Sequence, residues 1–196
     1  MWRAIIDIAV LASGSGTNLQ ALIDTPEIRP RIRVVISDKP GVKSLERAER
    51  AGIKTAVIVW GDFASRSDFS IAVADAAENA GAEAMVLAGF MRVLSPEAIE
   101  RFAGRIVNVH PSLLPAFPGV NAVAQALSHG VKVTGVTVHF VDEGVDTGPI
   151  IAQRPVPILP EDDEASLHAR IQVEEHRLLP QAVLELIVGK DSVGVQ

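Results

Sequence analysis

The stretch Ile5-Ile6-Asp7-Ile8-Ala9-Val10-Leu11, followed after Ala12 by Ser13-Gly14-Ser15-Gly16-Thr17-Asn18, decides the fold. It reads as a buried strand, a glycine turn and the opening of a helix. The same unit recurs along the chain. Ile32–Ile36, Thr55–Val59, Ala84–Leu87 and Ile106–Val109 are short runs that are apolar on both sides, which fits strands of a parallel sheet covered on both faces. Helical windows separate them: Asn18–Ile23, Val42–Ala51, Ser65–Ala80 and Pro96–Phe102. Gly52 and Gly81 stop two of these, and Ser95-Pro96 starts another. Repeated strand-then-helix predicts a doubly wound, mostly parallel α/β sheet flanked by helices, with right-handed crossovers.

Beyond about residue 110 the texture changes. Pro111, Pro115 and Pro118 exclude regular structure over that segment. Asn121–Ser128 reads as a short helix, Thr134–Phe140 and Ile150–Val156 as strands, and Asp163–Val188 as a long final helix with a kink expected at Pro180. Pro155 and Pro157 mark an edge or an end of the second strand. No linker interrupts the chain. The expectation is one domain over residues 1–189 with a short polar tail at 190–196.

Composition narrows the function. The 196 residues carry 18 Lys and Arg against 24 Asp and Glu, a net charge of −6 that argues against a general nucleic-acid binder. Cysteine is absent, which excludes disulfides, thiolate metal sites and a thiol nucleophile. No apolar run approaches the ~18 residues of a membrane span. Asp7 interrupts the first apolar run, so no signal peptide is read there. The expectation is a soluble, cytoplasmic protein.

Three segments carry candidate chemistry. Ser13–Asn18 presents glycine-freed N–H groups at a helix start, which suits a phosphate. No lysine follows as in a P-loop, and Leu19 stands where a dinucleotide loop has its third glycine. A single phosphate is therefore favoured over a dinucleotide, with an ordinary strand-to-helix turn as the alternative. Asn108 and His110 end a buried strand two residues apart, so both side chains project to one side, where open α/β sheets bind ligands. Asn can donate to an oxyanion and His can move a proton near neutral pH. Asp142-Glu143-Gly144-Val145-Asp146 lies in a turn-rich acidic loop. Its acids can hold a histidine and favour its protonated form, or simply face water. The remaining histidines read as structural. His129 suits a helix cap, and His139 lies mid-strand, packed or hydrogen-bonded. His168 and His176 are eight apart rather than four, so no zinc site is expected. Val86–Leu94 reads as core, with Gly89 allowing a flat ligand to approach the backbone.

Four strings occur in order: Gly14-Ser15-Gly16-Thr17-Asn18-Leu19-Gln20, Leu87-Ala88-Gly89-Phe90-Met91-Arg92-Val93-Leu94, Asn108-Val109-His110-Pro111-Ser112-Leu113-Leu114-Pro115 and Asp146-Thr147-Gly148-Pro149-Ile150. Together they resemble the phosphoribosylglycinamide formyltransferases, folate-dependent enzymes of purine biosynthesis, over nearly the whole chain. The resemblance implies transfer of a formyl group from 10-formyltetrahydrofolate, as co-substrate, to the amine of glycinamide ribonucleotide. It implies that Asn108, His110 and Asp146 are catalytic, and that Gly16, Thr17, Asn18 and Glu175 bind the ribonucleotide. Arg66, Met91, Arg92, Val93, Leu94, Asn108 and the loop Asp142, Glu143, Gly144, Val145 and Asp146 match the folate site. Direct transfer requires neither a covalent enzyme intermediate nor a metal. The implied partners are small molecules, with no nucleic acid and no membrane, and family members are often homodimers.

One segment departs from the pattern. After Gly119 the family commonly carries a histidine and then a basic residue, whereas this chain reads Val120-Asn121-Ala122-Val123-Ala124-Gln125. Two other readings share the same residues: a hydrolase releasing formate from the folate, and a catalytically weak folate-binding homologue. The phosphate loop separates the first from the transferase. Asn121 and Gln125 keep the second open.

Overall fold

β1 (Ile8–Leu11) sits at the centre of the sheet, and its side chains serve both of its faces. Ile8 and Val10 join one apolar layer, with Leu19 and Leu22 of α1 (Thr17–Ile23) and Leu167, Ile171 and Leu179 of α6 (Glu164–Val188). Ala9 and Leu11 join the other, with Phe69 and Val73 of α3 (Arg66–Asn79) and Ala98 and Ile99 of α4 (Pro96–Arg101). Two-sided burial explains the continuous apolar run: a polar residue at any of the four positions would face a core.

The structure is a computed structural model, and it describes residues 6–188. The first residue of the expected strand and the expected tail at 190–196 lie outside the described residues. The strand begins three residues late. The Ile6 N–H bonds the carbonyl of Ile187, and the Asp7 carboxylate pairs with Arg33 at 2.5 Å and Arg31 at 3.6 Å.

The remaining elements are β2 (Ile32–Ser37), α2 (Lys43–Arg50), β3 (Thr55–Val57), β4 (Ala84–Leu87), β5 (Ile106–His110), α5 (Ala122–Ser128), β6 (Val133–Phe140) and β7 (Ile150–Pro157). The seven strands are ordered β3-β2-β1-β4-β5-β6-β7. β3 through β5 run parallel, and β6 and β7 return antiparallel. β7 is an edge strand, where Pro155 and Pro157 are tolerated. α6 continues through Pro180.

This topology creates the site. The winding reverses between β1 and β4, so their carboxyl ends open a crevice at the switch point. The loop after β1 carries Gly14 and Gly16, and the loop after β4 carries Gly89 to Leu94. Among the described residues no helix is long and apolar enough to cross a membrane, and no group of three or more His, Asp or Glu is placed to hold a metal ion.

Candidate active site

Asn108 and His110 lie on β5, and the antiparallel register sets Asn108 opposite His139 on β6. The chain then leaves β6, turns through the acidic loop and delivers Asp146. The Asp142 carboxylate closes that loop by accepting from the Gly144 N–H at 3.1 Å and the Thr147 hydroxyl at 2.7 Å. A β-carbon at Gly144 would collide with that hydroxyl, and one at Gly148 would collide with the Phe140 carbonyl. These two glycines therefore let the loop fold back over β6.

Asp146 is the hub. Its Oδ2 accepts from the Gly119 N–H at 2.7 Å and lies 3.3 Å from His110 Nδ1. Its Oδ1 lies 3.4 Å from Asn108 Nδ2 and 3.5 Å from His139 Nε2. Burial pushes its carboxyl upward. Contact with His139, the Gly119 N–H and the charges of His110 and His139 outweigh that burial and hold it below the usual aspartate range.

His110 is 5% exposed and has an acceptor at each ring nitrogen. Nε2 lies 2.8 Å from the Phe117 carbonyl, and Nδ1 faces Asp146. Both contacts are hydrogen bonds at once only when both nitrogens carry hydrogen. The proline-rich segment holds that carbonyl in place. Thr137 Oγ1 donates to Ser112 O at 2.7 Å and accepts from Leu114 N at 3.0 Å, while Gln153 Nε2 reaches Thr137 Oγ1 and Leu114 O. Ser112 Oγ donates to Ala116 O at 2.5 Å.

Three non-glycine residues among those described have positive φ: Phe117 at 55°, Asn121 at 59° and Asp146 at 57°. Phe117 and Asp146 contact His110, and Asn121 lines the cleft beside it. Backbone strain of this kind persists where a site over-determines it.

The cleft has a volume of about 350 Å³. It is lined by Met91, Arg92, Val93 and Leu94, by Asp142, Gly144, Val145 and Asp146, and by Asn108, His110 and His139. Met91, Val93, Val120 and Val145 are exposed and give it an apolar rim. Arg66 is exposed at the start of α3 and does not line the cleft, and neither does Glu143.

The glycine loop is tied to this cleft. Ser13 Oγ accepts from the Met91 N–H at 2.9 Å, and the Ser13 N–H donates to Gly89 O at 3.1 Å. Gly16 has φ of 69°, and a β-carbon there would lie 2.7 Å from Ser44 Cα. Beyond Thr17, Asn18 Nδ2 donates to Glu175 Oε2 at 2.9 Å, and both residues are buried. Burial pushes the Glu175 carboxyl up, against the Asn18 bond and the charges of His168 and His110. The glycine loop, Glu175 and His110 thus share one neighbourhood.

The sequence placed His139 as packed or hydrogen-bonded. It is hydrogen-bonded, and it belongs to the site: Nε2 is 3.2 Å from Asn108 Nδ2 and Nδ1 is 2.8 Å from Phe140 O. Only the β5–β6 register could have exposed that role. His129 caps α5 as expected: its Nδ1 lies 2.9 Å from Gln125 O.

A pair of side chains from one strand, a carboxylate folded back over them and an apolar cleft form a site equipped for proton transfer and for donation to a developing oxyanion. A profile of the family described as formyl transferase matches residues 6–183, and the chain belongs to that family. It is 46% identical to the phosphoribosylglycinamide formyltransferase of Mycobacterium tuberculosis, over 91% of this chain and 84% of that protein, which sets it among those enzymes within the family. It is 51% identical to the trifunctional purine biosynthetic protein adenosine-3 of Drosophila melanogaster over 93% of this chain, but spans only 14% of that protein's length. The solved glycinamide ribonucleotide transformylase 1 of Symbiobacterium toebii superposes with a TM-score of 0.91 at 47% identity, covering 94% of this chain and 89% of that one.

Proposed function

We propose that this chain transfers the formyl group of 10-formyltetrahydrofolate to the amine of glycinamide ribonucleotide, a step of purine biosynthesis. The observation that carries the reading is the convergence of Asn108, His110 and Asp146 in the lining of one cleft, with Asp146 within 3.4 Å of both others. The relatives' names support formyl transfer and the ribonucleotide acceptor.

In this reading the ribonucleotide phosphate lies on the loop of Gly16, Thr17 and Asn18, and Glu175 holds the same substrate. The folate lies along Met91 to Leu94 and Asp142 to Asp146, and Arg66 and Glu143 act from outside the cleft lining. The substrate amine attacks the formyl carbon and forms a tetrahedral intermediate. Asn108 Nδ2 has two hydrogens, so it can hold Asp146 or His139 with one and donate to the oxyanion with the other. His110 gives a proton to the departing folate nitrogen and regains one from the attacking amine, directly or through water. Asp146 holds the imidazolium in place. The bond to the folate nitrogen breaks as the carbonyl reforms, leaving formylated ribonucleotide and tetrahydrofolate. The protein acts on small molecules in the cytoplasm, and a homodimer is the proposed assembly.

The test is a coupled assay with purified protein and both substrates, following tetrahydrofolate release and formylated product. Release that requires the ribonucleotide is the expected result. Release without it would replace the transferase with a hydrolase. Folate binding with no release would mark a binding homologue.

A further inference from the structure

Asp38 follows β2 and is a buried carboxylate outside the proposed chemistry: its side chain is 0% exposed. Its Oδ2 accepts from Arg92 Nε at 2.8 Å. Its Oδ1 is buried and has no partner among the described residues. A carboxylate that neutralises an arginine usually grips it with two parallel bonds. Here a single bond is made, through Nε, and an acceptor is left unsatisfied, which costs free energy. The arrangement leaves both terminal nitrogens of Arg92 without a protein hydrogen bond among the described residues, and the side chain remains 33% exposed at the cleft wall.

A second grip acts on the same group. The guanidinium lies 5.0 Å from the centroid of Trp60. Trp60 meets Phe69 edge-on at 5.0 Å, and Phe69 stacks on Phe90 at 6.3 Å. Phe90 and Arg92 belong to one segment, so the chain of contacts returns to where it began. The segment is pinned on both sides of Met91.

From this geometry we infer that Asp38 and Trp60 are positioning residues. They aim the terminal nitrogens of Arg92 at the carboxylates of the folate's glutamate tail. Apart from the histidines, Arg92 is the cationic residue of the cleft lining, and the glutamate carries the donor's fixed negative charges. Bidentate capture of a carboxylate needs the fork held in one orientation, which the clamp supplies before the ligand arrives. The inference rests on the folate reading of the cleft.

The experiment compares two donors, 10-formyltetrahydrofolate and 10-formyltetrahydropteroate, which lacks the glutamate. Asp38→Ala should lower kcat/KM about tenfold on the first and less than ~twofold on the second, because only the tail contact is lost. Asp38→Asn keeps an acceptor for Nε and should restore most of the loss. Arg92→Gln, on the exposed rim, should reproduce the tail-specific loss if Asp38→Ala does not fold. Calorimetric dissociation constants for 5-formyltetrahydrofolate and its glutamate-free analogue give the same comparison without turnover. Equal losses on both ligands, or none, would overturn the clamp. Wild-type protein that binds neither ligand would instead remove the folate reading itself.

Discussion

Replacing Asp146 by asparagine removes a charge and leaves the shape. The amide oxygen still accepts from the Gly119 N–H. What disappears is a carboxylate 3.3 Å from His110 Nδ1. At that separation, with an effective dielectric constant of ~20, a full ion pair is worth about 5 kcal/mol. With the oxygen kept on the Gly119 N–H it still faces His110 Nδ1, so the imidazolium keeps a neutral acceptor and loses the charge, while the NH₂ takes the place of Oδ1 and opposes the Asn108 amide. Each ~1.4 kcal/mol of transition-state stabilisation is a factor of ten in rate. If between half and all of the interaction is expressed in the transition state, kcat falls by ~70- to 5,000-fold, which overlaps the range of positioned acid–base groups. The assay is ribonucleotide-dependent tetrahydrofolate release at saturating substrates, with Tm followed in parallel. A kcat within about tenfold of wild type, at unchanged Tm, would refute the role given to the carboxylate.

Other perturbations test separate parts of the site. His110→Ala should cost at least ~100-fold in kcat, while thermal-shift titration still detects both substrates. Asn108→Ala should lose ~100–1,000-fold through the missing oxyanion donor, and a loss confined to KM would count against that assignment. Gly16→Ala places a β-carbon 2.7 Å from Ser44 Cα at a φ of 69°; it should lower Tm and abolish ribonucleotide binding before it affects folate binding, as calorimetry would show. Glu175→Gln has an opposite sign for stability and function. Burial raises the folded-state pKa of Glu175, so its favourable contribution is complete below the ordinary glutamate range and is lost as pH rises through the raised value. At neutral pH the variant should therefore melt higher than wild type yet bind the ribonucleotide less tightly. Asp146 runs the other way: its contribution is present above the ordinary aspartate range and fades as pH falls through its lowered value.

The parallel half of the fold was legible because burial on both faces writes itself into sequence. The strands there are apolar over most of their length, and three of the four helical windows carry a stop or start residue. Boundaries shifted by a residue or a few at most, and the late start of β1 has a cause in Asp7, which the strand run contains but does not pair. The glycine loop was legible through local backbone chemistry: Gly16 must accept a left-handed φ against α2. Asn108 and His110 were legible because two residues of one strand need no tertiary information to share a side. His139 was not, because its place opposite Asn108 depends on how β6 pairs with β5. The supports of His110 were hidden for a related reason. A carbonyl from Phe117 and an N–H from Gly119 carry no side-chain signature. Asp38 was hidden because one buried acid after a strand is indistinguishable from a turn residue until Arg92 and Trp60 are seen around it.

The departure at 120–125 takes on a definite meaning in this geometry. Asn121 adopts a φ of 59° and precedes α5, and Gln125 Nε2 returns to the Val120 carbonyl at 2.8 Å. Asparagine tolerates the left-handed region better than most residues, as histidine also does. Asn121 therefore holds the backbone turn without placing a titrating ring in it. Gly119 directly precedes the stretch, and its N–H is bonded to Asp146 at 2.7 Å. That bond depends on the path of the backbone rather than on the side chains of Asn121 or Gln125. The stretch can thus lose its histidine and its basic residue and still hold the hub of the site, because what the carboxylate needs from it is an amide in the right place.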